Sequence, residues 1–171
     1  MNRKWWRVGV LLVAAVMLGG LAVDADPADP LPMPKSKPRA RAVKVYNEGV
    51  KLMRDKHYAA AQGKFEQALA LDEGLAEAHN NLAFSLRLQG WHNFERALQH
   101  YNRALELKPD LARAYMYRGV LFVHMGDLAR ARDDDAKLLA LDKELAVKLE
   151  RIIAAGTGGR DEYDGLAAPY N

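Results

Sequence analysis

Three times along the chain a small residue is followed four positions later by a second marker and three positions after that by a small or aliphatic one. The runs are Ala61, Phe65 and Ala68; Ala97, Tyr101 and Ala104; and Ala131, Asp135 and Leu138. Each run closes on Ala-Leu-like residues and an acid or a proline: Ala68-Leu69-Ala70-Leu71-Asp72, Ala104-Leu105-Glu106-Leu107-Lys108-Pro109 and Leu138-Leu139-Ala140-Leu141-Asp142. Offsets of four and three fall on one face of an α-helix, so each run predicts a helix with a single apolar stripe. A shorter pattern precedes each one: Val45, Glu48-Gly49 and Leu52; His79, Leu82-Ala83 and Leu86; Tyr115, Arg118-Gly119 and Phe122. The chain therefore reads as three antiparallel helix pairs, and a pair with one stripe per helix must bury that stripe against its own mate and its neighbours. Gly49, Ala83 and Gly119 on the first helices, and Ala61, Ala97 and Ala131 on the second, let the two helices approach closely, with the large residues filling the gap.

A period near 34 residues with this ordered small, aromatic, alanine and proline pattern resembles the tetratricopeptide repeat family. The resemblance covers residues 42 to 145 and implies an all-α solenoid whose repeats span 42–75, 76–111 and 112–145. Leu145, Leu149, Ile152 and Ile153 continue at helical offsets until Gly156, which predicts a capping helix at 146–155, the end of a segment running from Asp142 to Ala155. The small-residue columns step by 34 then 36 in the first helices and by 36 then 34 in the second. Two extra residues must then lie in the turn of the middle repeat, at Gly90-Trp91-His92-Asn93-Phe94. Trp91 in that turn is either an edge contact for a partner or a local cap over the second repeat.

The termini read differently. Arg3, Lys4 and Arg7 precede sixteen residues, Val8 to Val23, without a charge, the order of a secretory signal over residues 1–25. Cleavage after Ala22 or Ala25 fits the small-residue preference of such sites. Retention as an anchor is the alternative, with Trp5-Trp6 at the membrane interface and an apolar run shorter than the roughly 20 residues of a comfortable span. Either outcome predicts an exported domain, periplasmic or anchored facing the periplasm if the source is a Gram-negative bacterium. Membrane contact is expected only through residues 1–25. Five of the seven prolines and four basic residues fall within 26–41, which reads as an extended linker in which that proline density forbids a helix. Residues 156–171, glycine-rich and polar, read as a mobile tail.

The resemblance implies a concave wall lined by the first helices, where an extended or helical peptide would lie. Counting around each helix puts Tyr46 and Val50 of the first repeat on that wall. Asn80, Asn81, Phe84 and Arg87 represent the second, and Arg113, Met116, Val120 and His124 the third. Asn80 or Asn81 could hold a peptide backbone through its amide, and Arg87 or Arg113 a carboxylate. Some family members clamp a chaperone's terminal carboxylate with basic and asparagine side chains on the three first helices. Here Asn81 and Arg113 match that scheme, but Tyr46, Val50 and Tyr117 replace the other polar groups, so no clamp is carried over. Asp135, in the column of Phe65 and Tyr101, is expected to be paired by Lys148 or Arg151 or to sit at the rim, and Asp133 and Asp134 to form a solvated face.

The remaining chemistry narrows the function class. Cysteine is absent, which excludes disulfides, thiolate metal sites and a cysteine nucleophile. No two histidines show the i, i+4 spacing of a helical metal site, no acid, base and nucleophile converge, and Gly156-Thr157-Gly158-Gly159 lacks the lysine and helix of a phosphate loop. No cofactor or metal is expected. The net charge of +3 falls to +1 once Arg3, Lys4, Arg7 and Asp24 are set aside, so a nucleic-acid partner is not indicated. The reading is a non-enzymatic adaptor binding a protein or peptide in its groove within a cell-envelope assembly or secretion system. Its alternative is a membrane-tethered spacer or self-associating subunit using the Trp91 edge and the convex face.

Overall fold

A computed structural model describes residues 30, 31, 33 and 37–156. The expected signal at 1–25, half of the expected linker, and the tail beyond Gly156 lie outside the described residues. Among the described residues there are seven α-helices: α1 (Lys37–Arg54), α2 (Tyr58–Leu71), α3 (Ala76–Leu88), α4 (Phe94–Leu107), α5 (Ala112–His124), α6 (Leu128–Leu141) and α7 (Lys143–Ala155). The all-α solenoid is thus observed, with α1–α2, α3–α4 and α5–α6 as its repeats. None of these helices is long and apolar enough to cross a membrane.

The turns follow the column arithmetic. Three residues separate α1 from α2 and α5 from α6, whereas five separate α3 from α4. The two additional residues are accommodated in a three-residue 3-10 turn, Trp91–Asn93. Seven positions after each small residue of a first helix stands a residue with positive φ: Lys56 at 60°, Gly90 at 117° and Gly126 at 79°. A left-handed residue reverses the chain after each first helix. Glycine supplies it twice without strain, and Lys56 adopts it without that freedom.

The small residues act as expected from the sequence, with one substitution of partners. A Cβ on Gly49 would meet Phe65 Cε1 at 2.7 Å, and one on Gly119 would meet Leu149 Cδ2 at 2.5 Å. In the first repeat the filling residue is the aromatic of the mated helix. In the third, Asp135 cannot fill an apolar gap, and α7 brings in Leu149, which is fully buried. Asp135 itself is half-buried, with Oδ1 shielded and without a hydrogen-bond partner. Neither Lys148 nor Arg151 pairs with it; burial and the neighbouring Glu150 charge raise its pKa.

The expectation of a solvated Asp134 is corrected too. Its side chain is 3% exposed and accepts from Arg118 Nε at 3.0 Å and Arg118 Nη2 at 2.6 Å. Arg118 and Asp134 occupy the columns that hold Glu48 and Lys64 in the first repeat, which pair at 2.7 Å. The pair recurs with its charges exchanged.

Both ends of the stack are covered. At the C-terminal end α7 packs on α5 and α6. It begins at Lys143, three residues before the expected 146, because Asp142 both ends α6 and caps α7, accepting from Glu144 N–H and Leu145 N–H at 3.0 and 3.1 Å. At the other end, α1 starts at Lys37 inside the expected linker. Pro38 lies in its first turn, where a helix does not use the missing N–H, and Ala42 and Val43 bury against the core. Leu31 turns back onto α1: its N–H donates to Asn47 Oδ1 at 2.8 Å, and Asn47 Nδ2 donates to its carbonyl at 3.0 Å. The matching residue of α3, Asn81, donates instead to the hydroxyl of Tyr46 on the preceding first helix, at 3.0 Å. Leu31 therefore stands where a preceding repeat would be.

Two substitutions separate close packing from helix propensity. Gly49→Ala should destabilise by about 1–3 kcal/mol, because the Phe65 ring is fully buried and has nowhere to move. Gly63→Ala, inside α2 with nothing within 4 Å of the added methyl, should stabilise by roughly 0.5–1 kcal/mol. Urea denaturation of both variants checks the pair; equal effects would refute the close-approach account.

Candidate functional site: the inner wall of the first helices

Along the stack α1 meets α3 and α3 meets α5, while the second helices lie on the outside of these contacts. The first helices therefore line the inner wall. Their spacing also decides which of the expected groove residues a ligand could reach. Tyr46, Val50 and Met116 are 0% exposed, and Phe84, Val120 and Asn81 are nearly as buried. These six are core residues, not a contact floor, because neighbouring first helices approach closely enough to share the stripe between them. The Tyr46 ring packs 5.6 Å from Phe65, and Phe84 lies between Tyr58 and Tyr117, at 6.1 and 5.1 Å.

The polar members of the wall differ from one another. Asn81 is satisfied through Tyr46 and accepts from Asn80 Nδ2 at 3.0 Å. Asn80, 2% exposed, keeps a shielded Oδ1 with no partner. Arg87, 8% exposed, has a shielded Nε with no partner, and its guanidinium carbon stands 5.2 Å over the Phe84 ring. Its charge acts on Tyr58, Tyr101 and His124. Arg113 and His124 are half-buried, and His124 stacks on Phe94 at 5.8 Å. The wall thus combines an aromatic base with a buried acceptor on Asn80 and a buried cation on Arg87. Trp91 sits apart on the turn edge, 56% exposed, with its ring edge-on to His92.

A histidine pair in the middle repeat gave no signal in the sequence. His79 and His100 place their Nδ1 atoms 3.0 Å apart, and His79 Nε2 lies 3.1 Å from the Glu73 carbonyl. A carbonyl only accepts, so His79 carries its proton on Nε2 and its Nδ1 accepts from His100 Nδ1–H. His100 sits in the column of Lys64 and Asp134, but its first-helix counterpart is Leu82, and the ring turns to His79 instead. Twenty-one residues separate the two histidines on different helices, so no local spacing could reveal them.

Burial lowers the pKa of His79, His100 and His124 and so favours the neutral rings. His79 is lowered chiefly by desolvation, against the Glu73 carbonyl, with Arg103 adding to the lowering and Glu73 and Glu106 opposing it. His100 falls to about 4 through desolvation, His79 and Arg96, opposed by Glu66, and His124 to about 4 through desolvation and Arg87. A folded pKa below the unfolded value of 6.5 means that folding favours the neutral ring. Stability is then complete above pH 6.5 and is lost as pH falls from there towards about 4. Urea midpoints measured across that window should fall with acid in the native chain and fall less in His100→Gln and His124→Gln. Imidazole NMR titrations giving ordinary pKa values for both rings would contradict the assignment.

Comparison with known proteins agrees with the helix geometry. A family model described as TPR repeat matches residues 93–126, from the end of the middle turn to the end of the third first helix. The chain is 32% identical over 100 residues to the photosystem I assembly protein Ycf3 of Acaryochloris marina (strain MBIC 11017), covering 57% of this chain and 59% of that one. It is 34% identical over 103 residues to tetratricopeptide repeat protein 36 of Xenopus tropicalis, covering 58% and 50% respectively. The chain thus spans between half and three-fifths of the length of these curated relatives. Among solved structures, the Hsp90 co-chaperone Cns1 from Saccharomyces cerevisiae shares the fold with a TM-score of 0.61 at 19% identity, covering 75% of this chain and 41% of that chain. In fold, the chain is a helical solenoid like those of tetratricopeptide-repeat proteins.

Proposed function

We propose that this chain is an exported adaptor that binds an extended peptide or partner-protein segment along the inner wall of its solenoid, within a cell-envelope assembly. Tetratricopeptide-repeat proteins mediate protein–protein interactions, and the named relatives include an assembly protein and a co-chaperone. The observation that carries the groove reading is Asn80, whose buried Oδ1 has no partner. An unpaired buried acceptor costs about 1–3 kcal/mol; Asn80 is 2% exposed, so a ligand main-chain N–H relieves it as the surrounding wall side chains move aside to admit it. Asn47 illustrates the chemistry within the same molecule, since its amide takes both main-chain groups of Leu31. Export rests on the charge and apolar order of residues 1–25.

The double variant Asn80→Ala, Arg113→Ala, with unchanged circular dichroism, should lose its partners in affinity purification from its native envelope. An unaltered partner set would rule out the groove. N-terminal mass spectrometry of the protein from its own host should give a chain beginning at Val23 or Asp26, or an intact Met1 in a membrane fraction. Recovery of an intact chain from the cytoplasm would end the export reading.

A second reading has one specific observation in its favour. Trp91 and Met125 are both exposed in turns after first helices, so a tethered spacer or self-associating subunit would meet its neighbours on that edge. Sedimentation showing a concentration-dependent dimer that Trp91→Ala abolishes would establish it, and a monomer throughout would exclude self-association.

A further inference from the structure

Arg87 is a buried cation without a counter-ion among the described residues. No carboxylate among the described residues pairs with it. The charge is instead surrounded by rings: Phe84 beneath it, with Tyr58, Tyr101 and His124 close enough to feel it. Arg87 Nε is shielded and without a hydrogen-bond partner, while the guanidinium lies near enough to the buried Tyr101 hydroxyl to act on it through both charge and hydrogen bonding. An unpaired charge in such a site is expensive, and replacing it with an apolar side chain of similar size is commonly neutral or stabilising. Packing alone therefore favours something other than arginine here.

We infer that Arg87 is an anion subsite of the inner wall, and that the ligand is an extended segment of a partner protein carrying an aspartate, glutamate or terminal carboxylate against an aromatic base. This rests on the inner-wall reading above and supplies the chemistry of its occupant. A carboxylate is the planar two-oxygen acceptor that matches a guanidinium fork. Arg113 and His124 flank the same wall from α5, and only Arg113 among them adds charge, because burial keeps His124 neutral. The spacing adds a register. Asn80 and Arg87 are seven residues apart on α3, about 10 Å along the helix axis. About three residues of extended chain span that distance. The acidic group therefore lies about three residues from the main-chain group that Asn80 holds. The Arg87 position also differs from the carboxylate clamp, whose matching columns here contain Tyr46, Val50, Asn81, Arg113 and Tyr117.

A random dodecapeptide library displayed on phage, panned against the full chain and against Arg87→Met and Arg87→Lys, tests the assignment. The native chain should select peptides enriched in Asp or Glu beside an aromatic residue. Arg87→Met should lose that enrichment while melting at the same temperature or higher, and Arg87→Lys should keep part of it. For a selected peptide, Asp→Asn should weaken binding to the native chain by about tenfold or more, and to Arg87→Met by less than about twofold. Since that change is in the ligand, folding of the variants does not enter. Selected sequences similar to the chain's own Asp161-Glu162-Tyr163-Asp164 would support the same chemistry and mark that segment as a competitor. If the native chain selects peptides without acidic enrichment, or the Asp→Asn loss persists in Arg87→Met, the anion subsite is wrong and the groove stands. If it selects no peptides at all, the groove reading falls with it.

Discussion

Helices can bury a stripe of side chains only as far as their backbones can approach, and in this protein that approach is set by a glycine or alanine in the middle of each first helix. Against Gly49 lies the ring of Phe65, and against Gly119 lies Leu149, in both cases nearer than a methyl group would allow. Well-packed interiors leave no slack for an added atom. The spacing of each pair, the contact of one first helix with the next, and the burial of the inner wall all follow from it. The third repeat makes the dependence visible: Asp135 stands where an aromatic belongs, and α7 has to deliver Leu149 in its place. The capping helix is thus part of the third repeat's core as well as a lid on the stack.

A solenoid has two ends with no neighbour, and an uncovered end exposes apolar surface. Here the two ends are closed by different means. The C-terminal end uses a complete helix joined through one residue, Asp142, whose carboxylate caps it. The N-terminal end uses Leu31, held by Asn47. The same side-chain position serves inter-repeat contact elsewhere, as Asn81 donates to Tyr46 and the Tyr117 ring packs on Phe84. A position built to reach back to a preceding helix accepts a main chain when no helix is there. That substitution supplies the physical precedent for main-chain recognition on the inner wall.

The buried polar groups of the middle repeat sit oddly with a purely structural role. Asn80 Oδ1 and Arg87 Nε are shielded and unsatisfied, and the histidine pair is held neutral at a cost that rises with acid. Native proteins keep few such groups, and sites that must bind a ligand are where stability and function diverge. Asn80 and Arg87 lie on α3, and His79 of the same helix meets His100 of α4, so most of these groups gather in the middle repeat.

The sequence alone determined the number of repeats, the order of the helices and the widened middle turn, because each depends on local periodicity and on column spacing. Counting around each helix also gave a set of inner-wall candidates, without their burial. Tertiary structure decided which of them remain available. Tyr46, Val50 and Met116 share their stripe with the neighbouring first helix, a distance that no single helix records, whereas Asn80 and Arg87 keep polar atoms without a partner among the described residues. The Arg118 and Asp134 pair was hidden because its charges are exchanged relative to Glu48 and Lys64, so that neither column shows a constant sign. The proline-rich stretch misled for a related reason: a proline in the first turn of a helix is compatible with that helix, and only the packing of Ala42 and Val43 against the core made starting it at Lys37 favourable.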